Sequence, residues 1–201
     1  MSGWSINAAE LRIPRRSQFA AHRMVVIADP AMNAVRQLNG LASWFDTPGG
    51  AWRHKPIGYL PSDRLRGYDT RAHPRTFMPI NGGAPGSRTV GDAVKSGAMR
   101  VLAEGLSAEQ VEARLAPALA ALKRINALSE GPEGGAGLPY PFMGFGRNSN
   151  SFFSTMLKAM AFEEPVFANA AWIVPGARNL LLPVETLGGF IVAAASGAPA
   201  P

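Results

Sequence analysis

The sequence predicts an α+β domain, a small antiparallel sheet packed with helices. Three stretches carry that expectation. Arg23-Met24-Val25-Val26-Ile27-Ala28 is a compact apolar run that stops at Asp29-Pro30, and Ala34-Val35-Arg36-Gln37-Leu38-Asn39 then alternates. Ser107-Ala108-Glu109-Gln110 is a capping-box pattern that opens a long segment of helical period. Arg147-Asn148-Ser149-Asn150-Ser151 is a polar cluster that runs straight into apolar residues at helical spacing.

In chain order, Met1 to Asn7 lacks the charged start, apolar middle and small-residue cleavage site of a signal peptide. Synthesis in the cytoplasm is expected, and export by a machine that reads no such signal is compatible with it. The 23–28 run reads as a buried strand with His22 at its entrance. Asp-Pro turns it into the alternating strand that closes on Asn39-Gly40, giving an antiparallel hairpin. Residues 47–88 are rich in Gly, Pro, Arg and His and read as long loops, with short strands around Ile57 to Leu60 and Thr76 to Ile80. Asn81 to Ser87 reads as an exposed linker. The helix after Ser107 places Val111, Leu115, Leu119, Leu122, Ile125 and Leu128 on one face, and Pro117 inside it removes a backbone donor and predicts a kink. Gly131 to Gly137 ends it, and the Pro/Gly/aromatic text from Leu138 to Gly146 leads into the Asn/Ser cluster. There Phe152, Phe153, Met156, Leu157 and Met160 share one stripe. Residues 1–190 are expected to form one domain and 191–201 a flexible tail.

Composition narrows the function classes. A chain of 201 residues buries a substantial core, and 22 glycines with 17 prolines predict long irregular connections. No apolar run approaches the roughly 18 residues of a membrane span, so no transmembrane segment is expected. With no cysteine there is no disulfide, thiolate metal site or cysteine nucleophile. The three histidines, His22, His54 and His73, lack a metal-binding spacing, and no phosphate loop or G-x-S-x-G elbow is present. Neither metal nor cofactor is expected. The net charge of +6 comes from scattered arginines and lysines without a nucleic-acid motif, which predicts a solvated basic surface and no specific nucleic-acid partner. Nothing in the sequence sets the oligomeric state.

The chemistry-bearing candidate is the Asn/Ser cluster. A hydroxyl there sits beside unpaired amides and the positive end of the helix dipole, where a nucleophile and an oxyanion are both favoured. The same residues serve as an ordinary helix cap. A serine needs a base, and imidazole is the usual one near neutral pH. His22, on the edge of a buried strand, presents a rigid ring. His54 stands among cationic neighbours, His73 lies in loop text, and Glu163-Glu164 has a surface-like context. Trp44, Phe45 and Trp52 sit in Gly/Pro text as candidate exposed anchors or core residues.

Asn148-Ser149-Asn150-Ser151-Phe152 resembles the Asp-Cys-Ser-x-Phe/Leu pattern of the NlpC-like papain-fold amidases, with Ser149 where their cysteine stands. The order also resembles the circularly permuted branch that includes the lecithin:retinol acyltransferase group, in which the histidine comes first and the nucleophile late. His22 followed by Ser149 has that order. More loosely, the run through Leu38-Asn39-Gly40 and Lys55 to Pro61 resembles domains of bacterial secreted or toxin-associated proteins. The resemblance implies a permuted papain-like fold and a hydrolase of amide or ester bonds. Ser149 would attack, His22 act as base, and Asn39, with Gln37 as the alternative, orient the imidazole. The amides of Ser149 and Asn150 would receive the oxyanion, and Arg147, Asn148 and Asn150 would line the binding side. Peptide, cell-wall or acyl substrates follow from the same likeness. The departure from cysteine leaves a second expectation, a catalytically inactive module of the same fold that binds a protein or glycan.

Overall fold

The computed structural model describes residues 3–13, 20–46, 50–55, 57–78, 80, 90–128, 137–167 and 174–197. Within them the chain is α+β, with a seven-stranded sheet whose strand pairs are all antiparallel. Strand β1 (Trp4–Ile13) lies between β2 (Ala20–Ala28) and β6 (Met99–Leu106). Strand β3 (Ala34–Asp46) lies between β2 and β5 (Arg64–Asp69), and β7 (Leu138–Pro139) closes the far edge on β5. Strand β4 (Ala51–Lys55) also pairs with β3. The expected hairpin is present as β2 and β3, with Val25 opposite Leu38 and Ile27 opposite Arg36, but β2 starts early enough to hold His22 within it and β3 runs past the expected end at Asn39-Gly40.

Both faces of the sheet are covered, which explains why β2 reads as an apolar run without alternation. Val25 and Ile27 join one core with Phe152, Met156 and Leu115, while Met24 and Val26 join a second with Ile80, Val90 and Met99. Helices α2 (Ala108–Ala127), α3 (Ser149–Ala159) and α4 (Val184–Ser196) contribute to the first core, and α1 (Val90–Lys95) to the second. Both halves of the capping box form at α2. Ser107 Oγ accepts from the Gln110 amide at 3.1 Å, and Gln110 Oε1 accepts from the Ser107 amide at 2.8 Å. The helix buries Val111, Leu115, Ala118, Ala121 and Ile125 and continues through Pro117.

Three sequence expectations differ from the structure. Residues 57–60 and 76–78 are not strands; β4 and β5 are the strands of that region, and Pro74–Thr76 is a 3-10 turn. Side chains take the place of a ladder there. Asp63 accepts from the amides of Tyr59 and Leu60, both at 2.8 Å, and Gln37 bonds both the N–H and the C=O of Met78. At the other end, α4 runs to Ser196 and buries Leu187, Phe190 and Ala193, so the tail boundary expected at 191 falls inside a helix. Glu164 is not a surface carboxylate, since it bonds Arg23 at 2.7 Å with a side chain only 15% exposed. The linker at 81–87 lies outside the described residues, as does most of 131–137. Among the described residues no helix is long and apolar enough to cross a membrane.

Candidate functional site

The site lies in a split in the sheet. Leu38 pairs with both β2 and β5, and Ala42 pairs with both β4 and β5, so β2 and β4 share one edge of β3 end to end. The pairing of β2 with β3 stops at Val25 and that of β4 begins at Ala42. Residues 20–24 of β2 are therefore without a β3 partner. The first turn of α3 fills the seam. Asn150 Oδ1 accepts from the Arg23 amide at 2.9 Å, and its Nδ2 donates to the Ala21 carbonyl at 3.0 Å. One carboxamide thus replaces the missing ladder on both sides of His22, satisfying backbone groups that burial would otherwise leave orphaned.

Most of the Asn/Ser cluster is occupied in this way. Asn148 caps α3, its Oδ1 accepting from the amides of Asn150 at 2.8 Å and Ser151 at 3.3 Å. Its Nδ2 donates to the carbonyls of Gly144 and Pro175. Ser151 Oγ accepts from the Asn148 amide at 3.2 Å and meets the Gly176 carbonyl at 2.9 Å. Thr155 Oγ1 accepts from the Leu181 amide at 2.9 Å. These bonds stitch the 174–181 segment onto α3. Gly176, at φ +76°, has no room for a side chain, because a Cβ would stand 2.5 Å from Asn148 Oδ1. Phe152 presses equally close on Gly40, which is why the helix can lie directly on β3.

Opposite this seam, backbone groups fix the state of His22. The Met78 N–H and C=O hold the Gln37 amide in one orientation, with Nε2 donating and Oε1 accepting. Asn39 Nδ2 then donates to Gln37 Oε1 and to the Thr76 carbonyl, each at 3.0 Å. Asn39 Oδ1 is left facing His22 Nε2 at 3.5 Å. A carbonyl oxygen only accepts, so this chain of contacts assigns the proton to Nε2 and leaves Nδ1 bare. That nitrogen is buried and has no partner among the described residues. Burial, slightly opposed by Asn39, pulls the imidazole from its ordinary 6.5 to about 4, and the ring is neutral at physiological pH.

Ser149 stands apart from its neighbours. Its Oγ is 3.4 Å from the hydroxyl of Tyr140, and no hydrogen bond joins it to His22. Burial raises the Tyr140 phenol, while the Ser149 hydroxyl and the backbone N–H groups of Ser149 and Gly58 face its oxygen and pull the other way. The amide of Asn150 is bonded to Asn148 and that of Ser149 faces Tyr140, so neither amide expected to receive an oxyanion is open in this conformation. His22, Asn39 and Ser149 are 1%, 0% and 4% exposed, which means a substrate reaches them only if the covering residues move.

The structure therefore brings His22 and Asn39 into contact, wedges Asn150 against both sides of His22, and leaves Ser149 on Tyr140. Arg147 is exposed before the cap. Sequence reasoning missed Tyr140 and Thr76. Tyr140, held between Pro139 and Pro141, carried a conformational signal, whereas Thr76 acts through its carbonyl and carried none. Gln37, weighed against Asn39 for one role, orients Asn39 instead. His54 lies on β4 rather than in a loop, and His73 precedes the 3-10 turn. No protein-family model matches the chain, and neither the curated proteins nor the solved structures compared with it give a match.

Proposed function

We propose that the chain is a hydrolase of amide or ester bonds on a permuted papain-like, NlpC-like arrangement. Ser149 is the nucleophile, His22 the general base and Asn39 the residue that orients the ring. The observation that carries this reading is the buried Nδ1 of His22, which has no partner among the described residues. A buried polar atom left unpaired costs about 1–3 kcal/mol, and a role in chemistry is one reason a protein keeps such an atom. Ser149 supports it, being the member of the Asn-Ser-Asn-Ser row whose side chain takes no part in the capping and stitching bonds.

In this mechanism Ser149 Oγ turns from Tyr140, attacks the substrate carbonyl and passes its proton to His22 Nδ1. Nε2–H stays on Asn39, whose carbonyl dipole steadies the imidazolium until the proton goes to the leaving group. Water then repeats the sequence on the acyl-enzyme. Movement of the Tyr140 turn admits the substrate and frees the Ser149 amide for the oxyanion. Peptide, cell-wall or acyl substrates, including those of bacterial effector-type amidases, suit this chemistry.

A second reading, a catalytically inactive module that binds a protein or glycan, is favoured by the Ser149–Tyr140 contact and the closed site. Mass spectrometry after treatment with a fluorophosphonate separates the two. The hydrolase carries one adduct on Ser149 that is absent in Ser149→Ala and His22→Gln. An inactive module carries none, even after Tyr140→Phe releases the serine.

A further inference from the structure

A second feature lies at the end of the sheet built by β3, β4 and β5. There the strands and the loop through residues 72–76 border a half-open cavity of about 670 Å³, a volume within the range of small-molecule sites. Its lining includes Trp52 and His54 from β4, Arg66 and Tyr68 from β5, and His73 and Arg75 from the loop. Among the described residues, no carboxylate lines it.

The charges are unevenly balanced. Arg53, also on the rim, is paired with Asp46 at 3.1 Å, but Arg75 has no ion pair among the described residues. Arg66 lies over the Trp52 ring, 4.2 Å from its centroid, and meets the phenol of Tyr68. Arg36 shows what burial does when carboxylates answer it. Desolvation lowers that guanidinium, yet Asp69 and Glu112 more than offset the loss and leave it raised. For Arg66 desolvation prevails over the Tyr68 contacts and the group is lowered. A partly buried cation in that condition gains from an arriving anion. Aromatic rings stand beside it, His54 tilted and His73 edge-on against Tyr68 with ring centroids 5.8 and 5.5 Å away.

We propose that this cavity binds a small organic anion, a phosphate monoester carried on a flat ring. Arg66 and Arg75 meet the phosphate through guanidinium N–H groups, whose planar fork suits its oxygens. The aromatic walls meet the ring. The site adjoins His22 and Asn39 through Thr76, whose carbonyl accepts from Asn39. It does not depend on Ser149 being reactive.

The test is titration calorimetry of the whole chain with adenosine monophosphate, adenosine and inorganic phosphate, in parallel with quenching of tryptophan fluorescence. Adenosine monophosphate is expected to bind saturably with quenching, and the two fragments at least about tenfold more weakly, since each makes only part of the contact. Arg75→Gln, at an exposed turn position without an ion pair, is expected to weaken binding about tenfold while leaving the melting curve unchanged. Trp52→Leu should reduce the ring's contribution, so that its affinity for the monophosphate approaches that for phosphate. Absence of saturable binding at millimolar ligand overturns the proposal. So does binding that Arg75→Gln and Arg66→Met leave unaltered.

Discussion

Replacing His22 by glutamine should remove a pH-dependent part of the protein's stability. In the folded chain the imidazole is pulled down from 6.5 to about 4 by burial, and the ring is 1% exposed, so solvent screening is slight. Between those two pH values the unfolded chain binds a proton that the folded chain refuses. Stability is therefore fully present above about 6.5 and is lost progressively as the pH falls to about 4. A shift of this size corresponds to roughly 3 kcal/mol at about 1.4 kcal/mol per unit. Glutamine does not titrate and keeps an N–H donor for Asn39. His54, His73 and the carboxylates remain in both proteins, so the difference between them isolates His22. Urea unfolding followed by tryptophan fluorescence at steps across this window measures it. Wild type should lose stability relative to His22→Gln by that amount on acidification. A difference that stays constant with pH, or wild type gaining as the pH falls, would refute the buried neutral imidazole.

Three further outcomes test the frame around the site. Asn150→Ala orphans the Arg23 amide and the Ala21 carbonyl and should cost about 3 kcal/mol in chemical unfolding; a loss under about 1 kcal/mol would mean the seam is held elsewhere. Gly40→Ala places a Cβ 2.5 Å from that of Phe152 and should cost about 1–3 kcal/mol, measured by thermal melting. Arg23→Met deprives the buried Glu10 and the partly buried Glu164 of their guanidinium and should cost about 3–5 kcal/mol. Adding Glu10→Gln to that variant should recover part of the loss, and no recovery would place the cost in packing instead of charge.

Much of the fold was legible where local rules and burial agree. The 23–28 run, its Asp-Pro turn and the Ser107 capping box are short-range signals, and tertiary structure reinforced them. Strand β1 was not legible, because Ser5, Asn7, Ala8 and Ala9 dilute any pattern; Asn7 is buried and bonds Ser5 and Val26 in place of an apolar contact. Around Ile57 and Thr76 the apolar residues suggested strands, but Asp63 and Gln37 satisfy that backbone from far along the chain or across a turn. Local periodicity carries no trace of such bonds. In the site, helix-capping chemistry located the Asn/Ser cluster correctly as the start of α3. What it could not supply was the division of labour, in which Asn148, Asn150 and Ser151 hold structure together and Tyr140 faces Ser149. Those roles depend on the split between β2 and β4, which only the assembled sheet creates.

The most direct measurement of the proposed chemistry is the rate of Ser149 phosphonylation as a function of pH. If His22 Nδ1 is the base, the rate should be flat near neutrality and fall on acidification along the titration of His22, with an inflection near 4, and His22→Gln should abolish it. Absence of Ser149 labelling at every pH, or labelling that His22→Gln leaves unchanged, would contradict it.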